Sequence, residues 1–369
     1  MEVTPSSSPS PSPSSSPSPV TNQTAECGQV DTSTHIFFML VYSLVFLVGL
    51  MLNGFTLKVY FFGAQQQTSS SVTIYLKNLA AADFLLTLCL PIRISNYASS
   101  AVSVRRVYCT FGASAFYLNM YASILFMGYI AANRYLKIVH PLGTHILQTV
   151  RAAHIVSTVT WVGLLAMTSI YITLWIVTDP HRDSVPDTVS CDAIHSDQIR
   201  VLYKIIHSIS AAIFLAVLVS LIFFYYSTSR RLALAQQKQR ASSGSKMLAR
   251  SRRNMLVLVS VFCVCFVPYH LVRLPFAFMK KPYLCQPFFY MKELTILLSV
   301  FNVCLDPLLY FIFCKAFRSQ LNLKRVFNTT QVATCAEKTE QRSSEAQASI
   351  IRMNRKTSLT TSMRQTDVL

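Results

Sequence analysis

Long apolar stretches alternate with short polar ones along most of this chain. About 20 residues in an α-helix cross the ~30 Å hydrocarbon core of a bilayer, and seven stretches reach that length. They are predicted at residues 35–62, 72–97, 106–138, 151–177, 199–229, 253–279 and 289–312. The pattern predicts an all-α membrane protein, a bundle of seven transmembrane helices over residues 35–312.

The two ends of the chain have a different composition. Residues 1–34 are rich in serine and proline, lack lysine and arginine, and carry no apolar core of a signal peptide, so we expect disorder. Apolar and basic residues alternate at helical spacing over 313–323, which predicts a short amphipathic helix on the membrane surface. Residues 324–369 are polar, which predicts a disordered tail.

Composition and charge narrow the class of protein. Hydrophobic residues make up 52% of the chain and charged residues 13%, against about 25% charged in soluble domains. The net charge of +18 comes largely from residues 230–253 and 315–364, which flank membrane helices rather than form a nucleic-acid surface. The chain has no glycine-rich phosphate loop and no Cys/His cluster at metal spacing. We therefore predict neither an enzyme nor a partner of nucleic-acid polymers.

The charge pattern also predicts an orientation. Basic residues concentrate on the cytoplasmic side of membrane proteins, so the 230–253 loop is predicted inside and the Lys/Arg-free N-terminus outside. A glycosylation sequon at Asn22 agrees, since it is usable only outside the cell. We expect a multi-pass protein of the plasma membrane, embedded among its lipids, with an extracellular N-terminus.

Polar side chains inside apolar helices suggest a functional role, because inserting an ionisable group at the centre of a bilayer costs roughly 2.5–3.5 kcal/mol. The predicted helices contain such residues at Asn53, Asp83, Ser123, Asn302 and Asp306. Two carboxylates with several polar oxygens are suited to a hard cation such as Na⁺. A water-filled polar network between helices is the alternative, and no other cofactor is expected.

Several short motifs occur in order on the predicted helices. They are Asn53, Leu79-Ala80-Ala81-Ala82-Asp83, Asn133-Arg134-Tyr135, Trp161, Cys265-Phe266-Val267-Pro268-Tyr269 and Asp306-Pro307-Leu308-Leu309-Tyr310. Together they resemble the signature motifs of rhodopsin-like G-protein-coupled receptors, over residues 35–322. Each motif alone is weak evidence, whereas the ordered set is specific.

The resemblance implies a switch and an inner partner. It assigns G-protein coupling to Asn133, Arg134, Tyr135 and Tyr310, with Pro268 as the kink of the sixth helix. It also implies arrestin and receptor kinases as partners of the tail. Asn133 departs from the acid usual at this position, which normally restrains the arginine. Raised basal activity is therefore our hypothesis.

Four of the ten cysteines lie in segments predicted to face outside, where disulfides persist. The resemblance implies a disulfide between Cys109, at the outer end of the third helix, and Cys191. Cys27 and Cys285 form a second candidate pair.

Cations and aromatic residues gather toward the outer ends of the predicted helices. They are Arg93, Tyr117, Tyr121, His270, Arg273 and Lys292. We expect unpaired cations there, and such cations attract an anionic ligand because the helix walls focus the field. Arginine suits phosphate by forked bonding. The alternative is that the cations extend to lipid headgroups.

Local segments around these residues are similar to those of purinergic receptors for ADP and UDP-sugars. They are 74–78, 91–94, 116–121, 268–275 and 292–295. That resemblance implies phosphate binding at Arg93, Arg273 and Lys292 and coupling to inhibitory G proteins. Tyr203 and His207 depart from this branch, and Asn133-Arg134 with His207 is similar to the platelet-activating-factor receptor. A nucleotide or nucleotide sugar is the first candidate ligand, and a phospholipid mediator is the alternative.

Two further alternatives stay open. One is an orphan receptor with high basal activity that modulates others by pairing with them. The other is a transporter, which would usually show inverted repeats and broken helices. Neither feature is evident in the sequence.

Overall fold

The computed structural model describes residues 32–62, 70–99, 101–140, 145–178, 191, 196–238, 243–278 and 285–313. Within them lie seven helices long and apolar enough to cross a membrane, which confirms the predicted bundle. The segments predicted as a disordered N-terminus, an amphipathic helix and a tail lie outside the described residues, apart from the ends at 32–34 and 313. Asn22 and Cys27 lie outside them as well.

The seven helices follow one another as α1 to α7. Five are single elements: α1 (Thr32–Phe62), α2 (Ser71–Ala98), α4 (Val150–Thr178), α5 (Asp197–Lys238) and α6 (Ser243–Phe278). Helix α3 (Val102–Val139) contains a π-helical turn at Tyr108–Gly112. Helix α7 consists of two stretches, Cys285–Val300 and Asn302–Phe313, which meet at Phe301.

Helices α5 and α6 extend well beyond the apolar stretches predicted at 199–229 and 253–279. The hydropathy pattern ends where the helix leaves the hydrocarbon, but the backbone hydrogen bonds continue into the polar flanks. Residues 230–238 are mostly arginine, leucine, alanine, glutamine and lysine, which are good helix formers in water. Apolarity therefore predicted the membrane-spanning parts and missed the polar extensions.

Helix α3 lies at the centre of the bundle. It packs against α2, α4, α5 and α6, while α1 packs against α2 and α7. Residues on opposite sides of this helix are fully buried, among them Ala122, Ile124 and Phe126. The outward faces of α1, α4 and α5 carry exposed leucine, isoleucine and valine, as expected of surfaces in contact with lipid.

A proline shapes the second stretch of α7 and fastens it to α1. Pro307 has no N–H group, so it cannot donate to the carbonyl four residues earlier, which belongs to Val303. The side-chain amide of Asn53 on α1 donates to that carbonyl at 2.8 Å. Asn53 thus satisfies an acceptor that the proline leaves without its helical donor.

Candidate functional site

A disulfide marks one end of the bundle. Cys109 in the π-helical turn of α3 is bonded to Cys191, with their Cα atoms 5.5 Å apart, which confirms this predicted pair. We call this end the disulfide end. The opposite end, near Arg134, is 25 residues further along α3, or about 37 Å at 1.5 Å per residue. The predicted disulfide between Cys27 and Cys285 stays a prediction, because neither side chain is among the described residues.

At the disulfide end, Arg93 of α2 is held inside the bundle by an anion and by aromatic rings. One nitrogen of its guanidinium donates to Glu293 of α7 at 2.6 Å, and another to the Tyr108 hydroxyl at 2.6 Å. The guanidinium carbon lies 4.9 Å from the ring centre of Tyr42 and 5.9 Å from that of Tyr97. Such contacts stabilise a buried cation electrostatically.

The expectation of unpaired cations is wrong for Arg93. Its ion pair with Glu293 is buried, with side-chain exposures of 6% and 8%. Tyr97 donates to the same Glu293 oxygen, and Lys292 lies 3.5 Å from the other oxygen. Two cations therefore share one carboxylate. The sequence showed Glu293 beside Lys292, but no pattern indicated that the carboxylate reaches across to α2.

Arg273 lies on α6 at the same end and faces α5. Its guanidinium donates to the hydroxyl of Tyr203 and lies 5.4 Å from the centre of that ring. His207, one turn along α5, packs against Tyr203 with ring centres 3.9 Å apart, and against Tyr117 at 5.4 Å. The sequence-predicted residues Arg273, His207 and Tyr117 are thus brought together through Tyr203, which carried no predicted site role.

Deeper in the bundle, Tyr121 and His270 link α3 to α6. The Tyr121 hydroxyl lies 2.9 Å from the Nε2 atom of His270, whose Nδ1 atom lies 2.8 Å from the Phe266 carbonyl oxygen. Phe214 of α5 stacks on the imidazole at 3.8 Å between ring centres. Three helices therefore meet at His270, below the cations.

The predicted polar core is assembled around Asp83, which is fully buried on α2. It accepts hydrogen bonds from Tyr310 at 2.6 Å, Ser123 at 3.3 Å and Asn302 at 3.4 Å. The carboxyl of Asp306 faces that of Asp83. This core lies ten residues along α2 from Arg93, or about 15 Å.

Several buried side-chain oxygens on α1, α3 and α7 have no hydrogen-bond donor among the described residues. Among the described residues, neither oxygen of Asp306 meets a hydrogen-bond donor, and neither does the side-chain oxygen of Asn53, Asn119 or Asn302. Buried acceptors normally have a donor, an ordered water or an ion. In the part of the chain that the structure describes, no three histidine, cysteine or acidic side chains cluster.

At the opposite end, Arg134 contacts the end of α7 rather than its neighbour Asn133. Its guanidinium donates to the Phe313 carbonyl at 3.2 Å and lies 4.9 Å from the Phe313 ring centre. Asn133 instead donates to the Ser71 hydroxyl on α2 at 2.8 Å. Tyr135 stacks on Phe224 of α5 at 4.9 Å. Pro268 lies inside α6, as predicted.

Comparison with known proteins agrees with this arrangement. Residues 52–310 match the model of the 7 transmembrane receptor (rhodopsin family). The chain is 36% identical to purinoceptor 14 of Bos taurus over 290 residues, covering 76% of this chain and 83% of the relative. It is 30% identical to G-protein coupled receptor 87 of Mus musculus over 329 residues, covering 86% and 87%. It is 29% identical to purinoceptor 13 of Homo sapiens over 316 residues, covering 84% and 87%.

The family model and these relatives are receptors, and the seven helices make this chain a multi-pass protein of the cell membrane. The prediction that it is not an enzyme is confirmed by the same matches. This chain therefore belongs to the rhodopsin family of seven-transmembrane receptors.

Proposed function

We propose that this receptor binds an extracellular, phosphate-bearing small molecule at the disulfide end and activates an inhibitory G protein at the opposite end. The main observation in support of the proposal is that three cationic side chains lie inside the helix bundle. Arg93 and Arg273 are 5% and 8% exposed, and the side chain of Lys292 is 13% exposed. Cations that extended to headgroups would lie on the lipid-facing surface.

The chemistry of these residues suits a phosphate group. The guanidinium of Arg273 is oriented by Tyr203, and a planar fork of donors matches phosphate oxygens. Glu293 is shared by Arg93 and Lys292, so an incoming anion can bind one cation while the carboxylate keeps the other. Tyr117, Tyr121, His207 and His270 would line the base of this site.

Two relatives are named purinoceptors, which makes nucleotides and nucleotide sugars the first candidate ligands. A phospholipid mediator is the second candidate, because a largely apolar cavity lies beside Tyr203, which accepts the hydrogen bond of Arg273. Both candidates would use the same cations for phosphate.

In the proposed orientation the N-terminus is extracellular, since the Cys109–Cys191 disulfide then lies on the oxidising side. Residues 1–34 would carry the glycan at Asn22. Residues 313–323 would lie on the inner membrane surface, and the tail 324–369 would receive kinases and arrestin.

Signalling would follow from a shift of the helix bundle from a resting to an active conformation. The ligand must bind the active population more tightly than the resting one. Arg134, Tyr135 and Tyr310 would rearrange as α6 bends at Pro268, opening a site for the G protein. We also propose Na⁺ at Asp83 and Asp306, supported by the buried oxygens that lack donors among the described residues.

The test is nucleotide exchange on a purified inhibitory G protein, with the receptor in nanodiscs and a panel of ADP, UDP-glucose and lysophospholipids. Arg273→Gln should lower the potency of the active compound at least tenfold. Lys204→Gln removes an exposed cation from α5 and serves as the matched control. Unchanged potency in both Arg273→Gln and Lys292→Gln would reject the phosphate site.

A further inference from the structure

A cavity of about 110 Å³ lies between α3, α4 and α5. Its walls are mostly apolar and include Leu164, Met167, Ile206, Ile209 and Ile213. No motif in the sequence indicated it, because it is a gap left by the packing of three helices.

The cavity reaches the lipid-facing surface. Ile209, which lines it, is 46% exposed. The neighbouring outward residues Ile205 on α5 and Leu165 on α4 are 49% and 51% exposed. The cavity therefore opens between α4 and α5, where hydrocarbon chains of the bilayer surround the bundle.

The same cavity lies beside the proposed phosphate site at Arg273. Tyr203 lines the cavity and also accepts the hydrogen bond from Arg273. Tyr117 lines it and contacts His207. One molecule could therefore bring an anionic group to Arg273 and an apolar group into the cavity, with the Tyr203 ring between them.

Hydrocarbon suits this space better than water. The volume would hold about four waters at ~30 Å³ each, and each water needs two to four polar partners. Thr168, one of the polar wall residues, already donates to the Leu164 carbonyl on its own helix at 2.8 Å. An acyl chain would instead fill the space with van der Waals contacts, each worth about 0.1–0.2 kcal/mol for a pair of atoms at optimal separation.

We propose that this cavity receives the acyl chain of a single-chain phospholipid whose phosphate is bound at Arg273. The proposal rests on the phosphate site proposed above and names the class of its ligand. The polar headgroup faces the disulfide end, and the chain passes Tyr203 and leaves the bundle between α4 and α5. The chain would contact Tyr117 and Tyr121, and the Tyr121 hydroxyl lies within hydrogen-bonding distance of His270 on α6. A chain in the cavity would therefore alter the contacts of α6.

Binding of tritiated 1-oleoyl lysophospholipids to the full-length receptor in nanodiscs tests this proposal. The probes carry phosphate, phosphoserine or phosphocholine headgroups, and empty nanodiscs give the background. Thr168→Phe fills the cavity from α4 and should weaken binding of the best probe at least tenfold. Thr158→Phe makes the same substitution at an exposed position of α4, ten residues before Thr168, and should leave binding unchanged.

A series of short-, medium- and long-chain probes with one headgroup gives a measurement that needs no variant. Affinity should rise with chain length beyond partitioning into empty nanodiscs, and sn-glycerol 3-phosphate should compete poorly. Equal binding of Thr168→Phe and Thr158→Phe, or affinity independent of chain length, would overturn the proposal. If only ADP or UDP-glucose binds, and binds through Arg273, the acyl-chain proposal fails while the proposed function stands. If none of the phosphate-bearing probes binds saturably, both fail.

Discussion

The hydroxyl of Tyr310 on α7 donates a 2.6 Å hydrogen bond to the carboxylate of Asp83 on α2. Both residues are fully buried. Ser123 of α3 donates to the other oxygen of the same carboxylate, so one acidic group joins three helices. A rearrangement of Tyr310 would therefore change the hydrogen bonding of a buried carboxyl group that α2, α3 and α7 share.

Sodium should stabilise this core through Asp306. The melting temperature of the purified receptor should be higher in sodium chloride than in equimolar choline chloride, and Asp306→Asn should abolish the difference. The stabilisation is about 1.4 kcal/mol when sodium is tenfold above its dissociation constant. Asp197→Asn changes an exposed carboxylate on α5 and is the control. A sodium effect that survives Asp306→Asn would contradict the assignment.

Arg93 and Glu293 should show strong coupling in a double-mutant cycle. Replacing either residue by alanine leaves the other charge buried, which costs about 3–5 kcal/mol, while the double variant loses less than the sum. Thermal unfolding in detergent measures the effect. The exposed pair Arg200 and Asp197 should show coupling of about 0.5 kcal/mol and serves as comparison. Additive losses at Arg93 and Glu293 would argue against a buried pair.

Asn133→Asp should lower basal activity. The Asn133 amide is uncharged and donates to Ser71, whereas an aspartate at this position would attract the neighbouring guanidinium of Arg134. The measurement is ligand-free nucleotide exchange on the inhibitory G protein at equal receptor density. Asn133→Ala removes the bond to Ser71 without adding charge and is the control. Equal basal rates in Asn133→Asp and the parent would refute the hypothesis.

Loss of the Cys109–Cys191 disulfide should sharply reduce the amount of receptor at the cell surface. The cross-link joins positions 82 residues apart, and closing such a loop stabilises a fold by about 4–5 kcal/mol in the chain-entropy model. Cys109→Ser, Cys191→Ser and the double variant should be equally impaired by surface labelling. Cys89→Ser replaces a free cysteine on α2 and should be expressed normally. A double variant much worse than either single one would indicate separate roles.

Hydropathy was sufficient to predict the seven helices, because lipid requires about 20 apolar residues in each. It could not place the ends of α5 and α6, since a helix continues in water as long as its backbone is hydrogen-bonded. The motifs predicted that Asp83 and Asp306 would meet. The link from Arg93 to Glu293 was not predictable, because it depends on how α2 and α7 are rotated against each other.

The aromatic contacts of Arg93 and Arg273 also differ in whether the sequence could predict them. Tyr97 lies four residues after Arg93, a helical spacing that could have suggested its contact. In the sequence, Tyr203 is only a departure from a related branch, because its bond to Arg273 depends on α5 and α6 lying side by side. The cavity beside Tyr203 has no signal in the sequence, since a void belongs to three helices together.

The two stretches of α7 that meet at Phe301 have separate attachments. Glu293 ties the first half to Arg93 on α2, while Val303 and Tyr310 tie the second half to α1 and α2. Backbone hydrogen bonds from Phe301 N–H to the Leu297 carbonyl and from Leu305 N–H to the Phe301 carbonyl join these two stretches. A ligand that displaced Glu293 would therefore pull, through α7, on the same helix that holds Asp83 and Asn53 further along.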